Sequence, residues 1–208
     1  PESERQRLLC IQDSDGLNVL HCAAMSLKHR FQRYEPEPES IVDGILSLLL
    51  ESQRLQVVKI RDGGGRTVLN HVAESGHVTC INTILSLYPE ADRLQAVSLQ
   101  DKEGLTALHR AAHSGNPESV RLIFALYPES EHLEALNLKD RYGQTVLHCV
   151  LPHNRECIKA VLSLYPESER RRALGVRDNL GRTVLQYVDR ETRDSILEWS
   201  SDSSCQKT

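Results

Sequence analysis

Nine histidines, six cysteines and an evenly spaced series of aspartates are the side chains of this chain with chemistry to offer. Histidine and cysteine together hold zinc, a histidine beside a cysteine makes a thiol nucleophile, and paired carboxylates move protons. The spacing argues against each. His21, His109 and His148 occupy one position of a recurring pattern, so they fall a layer apart and cannot share one zinc shell. Cys10, Cys22, Cys80, Cys149, Cys157 and Cys205 contain no Cys-x-x-Cys pair. They read as reduced thiols, mostly small core fillers, rather than as a disulfide framework. Cys149 follows His148 on the same element, so the two side chains point different ways, and no nucleophile is assigned. Asp62, Asp101, Asp140 and Asp178 stand 39, 39 and 38 residues apart, each followed by a glycine three positions on. They are turn formers, not a carboxylate pair. Gly63-Gly64-Gly65 lacks the Lys-Ser/Thr that completes a phosphate loop. His77, His113 and His153 fall near turns and are read as solvated. The expectation is no catalytic residue, no metal and no cofactor.

The spacing itself is the larger signal. Leu-Tyr-Pro-Glu occurs at residues 87–90, 126–129 and 164–167, and Gly65, Gly104, Gly143 and Gly181 keep the aspartates' interval. A period of this size means stacked supersecondary units in one array, not one closed core. The formal net charge of -4 gives no basic character for nucleic acid. No apolar run reaches the roughly 18–20 residues of a membrane span. No leader pattern opens the chain, and a cytoplasmic setting is the expectation. Pro1-Glu2-Ser3-Glu4-Arg5 matches residues 166–170, so the chain is expected to begin halfway through a unit whose natural neighbour lies upstream.

One unit, residues 101–139, shows how the positions work. Asp101 and Gly104 make a turn, and Thr106 stands at a helix N-cap. Leu108, Ala111 and Ala112 form an apolar stripe small enough for close helix approach. Gly115 ends that first helix in a left-handed cap, and Pro117 opens a second. Val120, Leu122, Ile123, Phe124 and Leu126 make the second helix apolar nearly all round, and Pro128 stops it. The acids after Pro128, with Leu133 and Leu136, predict a short third helix.

Gly104-Leu105-Thr106-Ala107-Leu108-His109-Arg110-Ala111-Ala112 resembles an ankyrin repeat. Looser copies begin at Gly16, Gly65, Gly143 and Gly181. The resemblance implies an all-α, ankyrin-like repeat solenoid of about five units. Each unit is two antiparallel helices, a short extra helix and a finger loop. It also implies that His21, His109 and His148 bond neighbouring loop backbone and join units. The usual unit is about 33 residues; here the extra six fall in the Pro-Glu-Ser-Glu segment and supply the third helix. Arrays of this 39-residue style look similar to effectors that intracellular bacteria deliver into host cells, which implies action in host cytosol.

The expected division is a single array over 1–208. It comprises a half repeat at 1–12, a unit at 13–61 with a ten-residue insertion near 26–40, then units at 62–100, 101–139 and 140–177. A C-terminal cap follows at 178–199, and 200–208 is expected to be a disordered tail. In the cap, Asp189 stands where Ala112 does, and Ile196, Leu197 and Trp199 are expected to form one apolar face.

In such stacks the finger tips and first helices line a concave groove where partners dock. The candidates mapped onto it are Arg66, Lys102, Glu103, Leu105, His113, Arg141, Tyr142, Gln144, Leu180 and Arg182. Phe31 and Tyr34 in the insertion are added as uncommon aromatics. Cations around the second and later fingers outnumber acids, which suits an acidic segment of a partner protein. The function expected is a monomeric, non-enzymatic protein-interaction scaffold, with no nucleic acid, membrane span or small-molecule substrate. The alternative is the targeting arm of a larger enzyme whose catalytic part lies elsewhere.

Overall fold

The computed structural model describes residues 11–27 and 38–202. Most of the half repeat, most of the insertion with Phe31 and Tyr34, and the last six residues lie outside them. Among the described residues every element is helical. The first unit holds α1 (Val19–Leu27), α2 (Pro38–Ser47) and α3 (Glu51–Lys59); the second holds α4 (Val68–Ser75), α5 (Val78–Ser86) and α6 (Glu90–Ser98). The third holds α7 (Ala107–Ser114), α8 (Pro117–Phe124), a 3-10 turn (Glu129–Glu131) and α9 (His132–Asn137). The fourth has a 3-10 segment (Val146–Cys149), α10 (Arg155–Ser163) and α11 (Glu167–Gly175); the fifth has α12 (Val184–Tyr187) and α13 (Arg190–Asp202). The described residues form a helical solenoid of stacked units, with a third helix in each of the first four.

Each finger is closed by its aspartate. Asp62, Asp101, Asp140 and Asp178 accept two backbone amides at Oδ1, from residues two and four further on, at 2.8–3.0 Å. Asp13 does the same for Asp15 and Leu17. The glycine of each turn sits at positive φ, +83° at Gly104, where a Cβ would meet Asp140 backbone at 3.1 Å. That position therefore needs glycine for both conformation and neighbour.

Three ladders tie one unit to the next. A backbone amide of each finger donates to the finger before it: Gly63 to Asp15 O (2.6 Å), Lys102 to Gly64 O (2.9 Å), Arg141 to Glu103 O (2.8 Å) and Asn179 to Tyr142 O (2.9 Å). Asn116 and Asn154, which cap α8 and α10, donate Nδ2 to the carbonyls of Gly76 and Gly115 at 2.8 and 2.7 Å. The tyrosines of Leu-Tyr-Pro-Glu form the third. Tyr88, Tyr127 and Tyr165 hydroxyls donate to Val58, Val97 and Leu136 carbonyls at 3.3, 3.1 and 2.9 Å. Those carbonyls lie in the last turns of α3, α6 and α9, where a helix has no partner of its own for them. The tyrosine thus caps the third helix of the preceding unit while its ring fills the core.

The core runs the length of the stack. Leu20, Leu69, Leu108 and Leu147, the leucines after each finger, are wholly buried, as are Ala24, Ala73 and Ala112. The first helices therefore pack closely through α1, α4 and α7.

The structure corrects four expectations. The fourth unit has no full first helix: Val146–Cys149 is one 3-10 turn. The Ala-Ala pair of α7 is replaced by Val150-Leu151, and Pro152 bars helix at and just before itself. In the fifth unit Asp189 does not continue α12; its Oδ1 accepts the Thr192 amide at 2.7 Å and so opens α13. The apolar face of α13 is Ile196 with Trp199, under the Arg170 guanidinium at 4.9 Å, whereas Leu197 is exposed. Ser200-Ser201-Asp202 extend α13 rather than starting the tail.

Tyr127→Phe removes one tyrosine cap and leaves the ring. It should lower stability by about 1 kcal/mol in denaturant unfolding. Equal stability of the variant would mean that the Val97 carbonyl has another partner.

Candidate functional site

The concave face is made by the fingers and by the first helix after each of them. Thr106 and His109 show how that helix starts. They form a capping box, with the Thr106 N–H and hydroxyl on His109 Nδ1 at 3.3 and 2.9 Å. The proton therefore sits on Nε2, which donates to Leu138 O at 3.0 Å in the extended lead to the next finger. His21 Nε2 likewise reaches Arg66 O at 3.3 Å while its Nδ1 accepts the Asn18 N–H at 3.2 Å, and the Thr145 hydroxyl donates to His148 Nδ1 at 2.9 Å. Asn70 replaces histidine in the second unit and accepts from Thr67 at 2.9 Å. His21 and His109 are thus joints between units, whereas His148 Nε2 is buried without a hydrogen-bond partner among the described residues, so the expected bond from His148 to a neighbouring loop is not made. Burial lowers their affinity for a proton, to a pKa of about 4 at His109.

With Oδ1 holding the turn, Oδ2 of the finger aspartates from Asp62 onward faces the position nine residues on. Asp62 Oδ2 meets His71 Nε2 at 2.8 Å. Asp101 Oδ2 takes Arg110, whose guanidinium also reaches Glu74 and Glu103 at 3.5 Å. Asp178 Oδ2 takes the Tyr187 hydroxyl, with Arg182 at 3.3 Å, and its carboxyl falls to about 2, mainly through that tyrosine bond. Asp140 differs. Its ninth residue is Cys149, and no described residue donates to Asp140 Oδ2. Burial pushes the Cys149 thiol up to about 12, with the Asp140 charge adding to it. It is therefore no nucleophile near neutral pH.

Beside Asp140 the concave face opens into a cleft of about 320 Å³. It exists because the fourth unit's first helix stops after one turn. Leu105, His109, Arg110 and His113 line it from the third unit; Tyr142, Gln144, Cys149, Val150, Leu151 and Pro152 from the fourth; Tyr187 closes the far end. Hollows of about 210, 480 and 500 Å³ lie beside Tyr88, Tyr127 and Tyr165 on the third-helix side. They recur with the tyrosine cap and so come with the packing. None of these three is lined by a finger aspartate, as the cleft at Asp140 is.

Four of the residues chosen from sequence, Leu105, His113, Tyr142 and Gln144, meet in this cleft. Tyr142 is 47% exposed and carries the Arg141 guanidinium 4.6 Å above its ring. Gln144 Nε2 donates to Tyr187 Oη at 3.0 Å. Arg66 and Glu103 pair with each other at 3.4 Å, and Arg66 also lies 3.7 Å from Asp101. Arg182 pairs with Asp178 and lies over the Tyr187 ring at 4.4 Å. Lys102 Nζ donates to Gly63 O at 2.7 Å. Leu180 stands alone at the last finger tip, 74% exposed. The basic lean read from the fingers is thus reduced, because Arg66 and Arg182 are matched by carboxylates of this chain. Sequence reasoning missed Asp140, Cys149 and Tyr187 as members of the site. The signal available was the constant nine-residue offset from each finger aspartate, with His71, Arg110, Cys149 and Tyr187 at its far end.

Residues 40–132 match the family model of ankyrin repeats, in 3 copies. No curated protein matches the chain. The fingers at Asp140 and Asp178 repeat the geometry beyond the matched segment, and the cleft straddles its end. Among the described residues no group of three or more His, Cys, Asp or Glu could hold a metal ion, and no helix is long and apolar enough to cross a membrane.

The buried histidines give the stack a pH dependence. The folded pKa of His109 is about 4 against an ordinary 6.5, so the unfolded chain takes up the proton first. Its contribution is complete above pH 6.5 and drains as pH falls toward 4, by roughly 3 kcal/mol in all. His21, His71 and His148 shift in the same direction. His109→Asn keeps the capping acceptor, as Asn70 does, and has nothing to titrate. Its urea midpoint should fall less than the parent's between pH 6.5 and 4; equal falls would show that His109 is not the source.

Proposed function

We propose that this chain is a protein-interaction scaffold whose partner docks on the concave face between the third and fourth fingers. Ankyrin repeats are protein–protein interaction modules, typically non-catalytic, and residues 40–132 are such repeats. One observation carries the finer reading. The array departs from its own repeat on this face by losing most of a first helix, and there it presents a cleft rimmed by half-exposed Tyr142. Tyrosine and arginine contribute large contact area at interfaces with few rotamers to freeze. Tyr142, under Arg141, is that pair. Leu180, on the next finger, extends an apolar contact along the same edge.

The combined variant Arg141→Glu/Tyr142→Ala tests the face. Both side chains are surface groups, so helix content and unfolding midpoint should match the parent. Affinity purification from cytosol, read by mass spectrometry, should lose the partners that the parent retains. Undiminished capture by the folded variant would place docking elsewhere.

A further inference from the structure

We propose that the cleft takes an arginine side chain of the partner, seated on Asp140 Oδ2. The inference rests on the concave-face reading above and names the chemistry of its anchor.

The other fingers show what this oxygen accepts. In three of them a donor nine residues on reaches Oδ2: the His71 imidazole, the Arg110 guanidinium and the Tyr187 hydroxyl. The fourth finger supplies Cys149, whose thiol is a weak donor, and no bond is made; the first finger, with Cys22 nine residues after its exposed Asp13, likewise shows none among the described residues. Asp140 is 7% exposed, with Oδ1 already committed to the Tyr142 and Gln144 amides. Asp140 Oδ2 is not one of the fully buried atoms left without a partner, so solvent from the cleft still touches it, and a charged donor seated there would replace that water. The shortened helix that opens the cleft also opens the route by which a donor from outside reaches it.

The surroundings select the donor. Arg66 and Arg110 face Glu74, Asp101 and Glu103, so the adjacent cluster carries an excess of one carboxylate before Asp140 is counted. The lining histidines His109 and His148 are neutral, and Arg141 lies outward against the Tyr142 ring. The site is therefore short of positive charge inside. Tyr142 offers a flat aromatic wall, and Val150 and Pro152 an apolar one. A guanidinium fits that combination better than an ammonium: it is planar, weakly hydrated, stacks on aromatic rings and pairs with carboxylate at fixed geometry. Arg110 on Asp101, one unit earlier, is the same pairing made within the chain.

The test uses the whole 208-residue chain and three capped tripeptides, Leu-Arg-Leu and its citrulline and glutamate counterparts. Binding is followed through the amide resonances of Tyr142, Gln144 and Cys149. The arginine peptide should bind about tenfold tighter than citrulline, the difference between a charged and a neutral donor. D140N keeps the Oδ1 acceptor that closes the finger and should lose this preference. C149R places a guanidinium on Asp140 from within; it should block the peptide and raise the unfolding temperature. Equal binding of arginine and citrulline, stronger binding of the glutamate peptide, no shifts at millimolar arginine peptide, or an unaltered preference in D140N would each overturn the proposal. Should C149R fail to fold, D140N decides alone. If the Arg141/Tyr142 variant loses its partners while the arginine preference is absent, the docking face stands and the anchor falls. If that variant keeps them, the face itself is wrong.

Discussion

Everything in this array depends on one division of labour within a carboxylate. Oδ1 of each finger aspartate gathers two amides and closes the turn. The closed turn presents a backbone amide to the finger before it and so fixes the register of stacking. A neutral acceptor such as asparagine could close the turn as well. The aspartate leaves a second oxygen, with charge, buried at the root of the finger. Each unit must then supply a donor for it, and the units differ in how they do so. Histidine, arginine and tyrosine at one place give three local electrostatic solutions on an identical backbone.

The repeat makes the architecture legible. Five fingers, the leucine and alanine stripe and the proline stops all lie in fixed places along the chain, and each forms the element its pattern predicts except the first helices of the fourth and fifth units, which are single turns. The third helix was readable because Pro-Glu-Ser-Glu sets acids at a helix start after a proline that had to end the previous one. The shortened first helix of the fourth unit was also written in the chain, at Pro152, yet the strong match through Thr145-Val146-Leu147-His148 concealed it. A repeat invites the assumption that the best copy describes the others. The tyrosine caps were less accessible, since their acceptors are backbone carbonyls about 30 residues earlier, in the preceding unit. Backbone acceptors leave no trace in residue types.

The candidate face was half legible for a different reason. Exposure at finger tips follows from topology, so Tyr142, His113 and Leu180 fell where mapping put them. Charge did not follow. Arg66 and Arg182 were counted as free cations, but in an array each finger lies against its neighbour, and their partners came from adjoining turns and fingers. Summing charges along a repeat overstates the surface field wherever side chains are long enough to span one layer.

A one-dimensional stack constrains where function can lie. Each unit contacts only its neighbours, so stability is close to a sum over interfaces, and a local defect weakens the stack locally without undoing it. The fourth unit gives up most of a first helix, yet Val146, Leu147 and His148 stay buried and Asn154 still bonds the third unit across the gap. The interface is retained while its concave edge is opened. An array of identical units would present the same surface many times and discriminate little among partners. Specificity has to come from the copy that differs. Here the helix defect, the cysteine at the ninth position and the exposed aromatic coincide in one unit, beside a buried finger aspartate whose second oxygen has no donor among the described residues; the first finger shares the cysteine, at Cys22, but its Asp13 is exposed. A shorter helix alone would leave an apolar notch, and an unmatched aspartate alone would be a buried penalty. Together they make a notch with a charge at its base, and such a charge discriminates against neutral or acidic occupants by leaving itself unpaired.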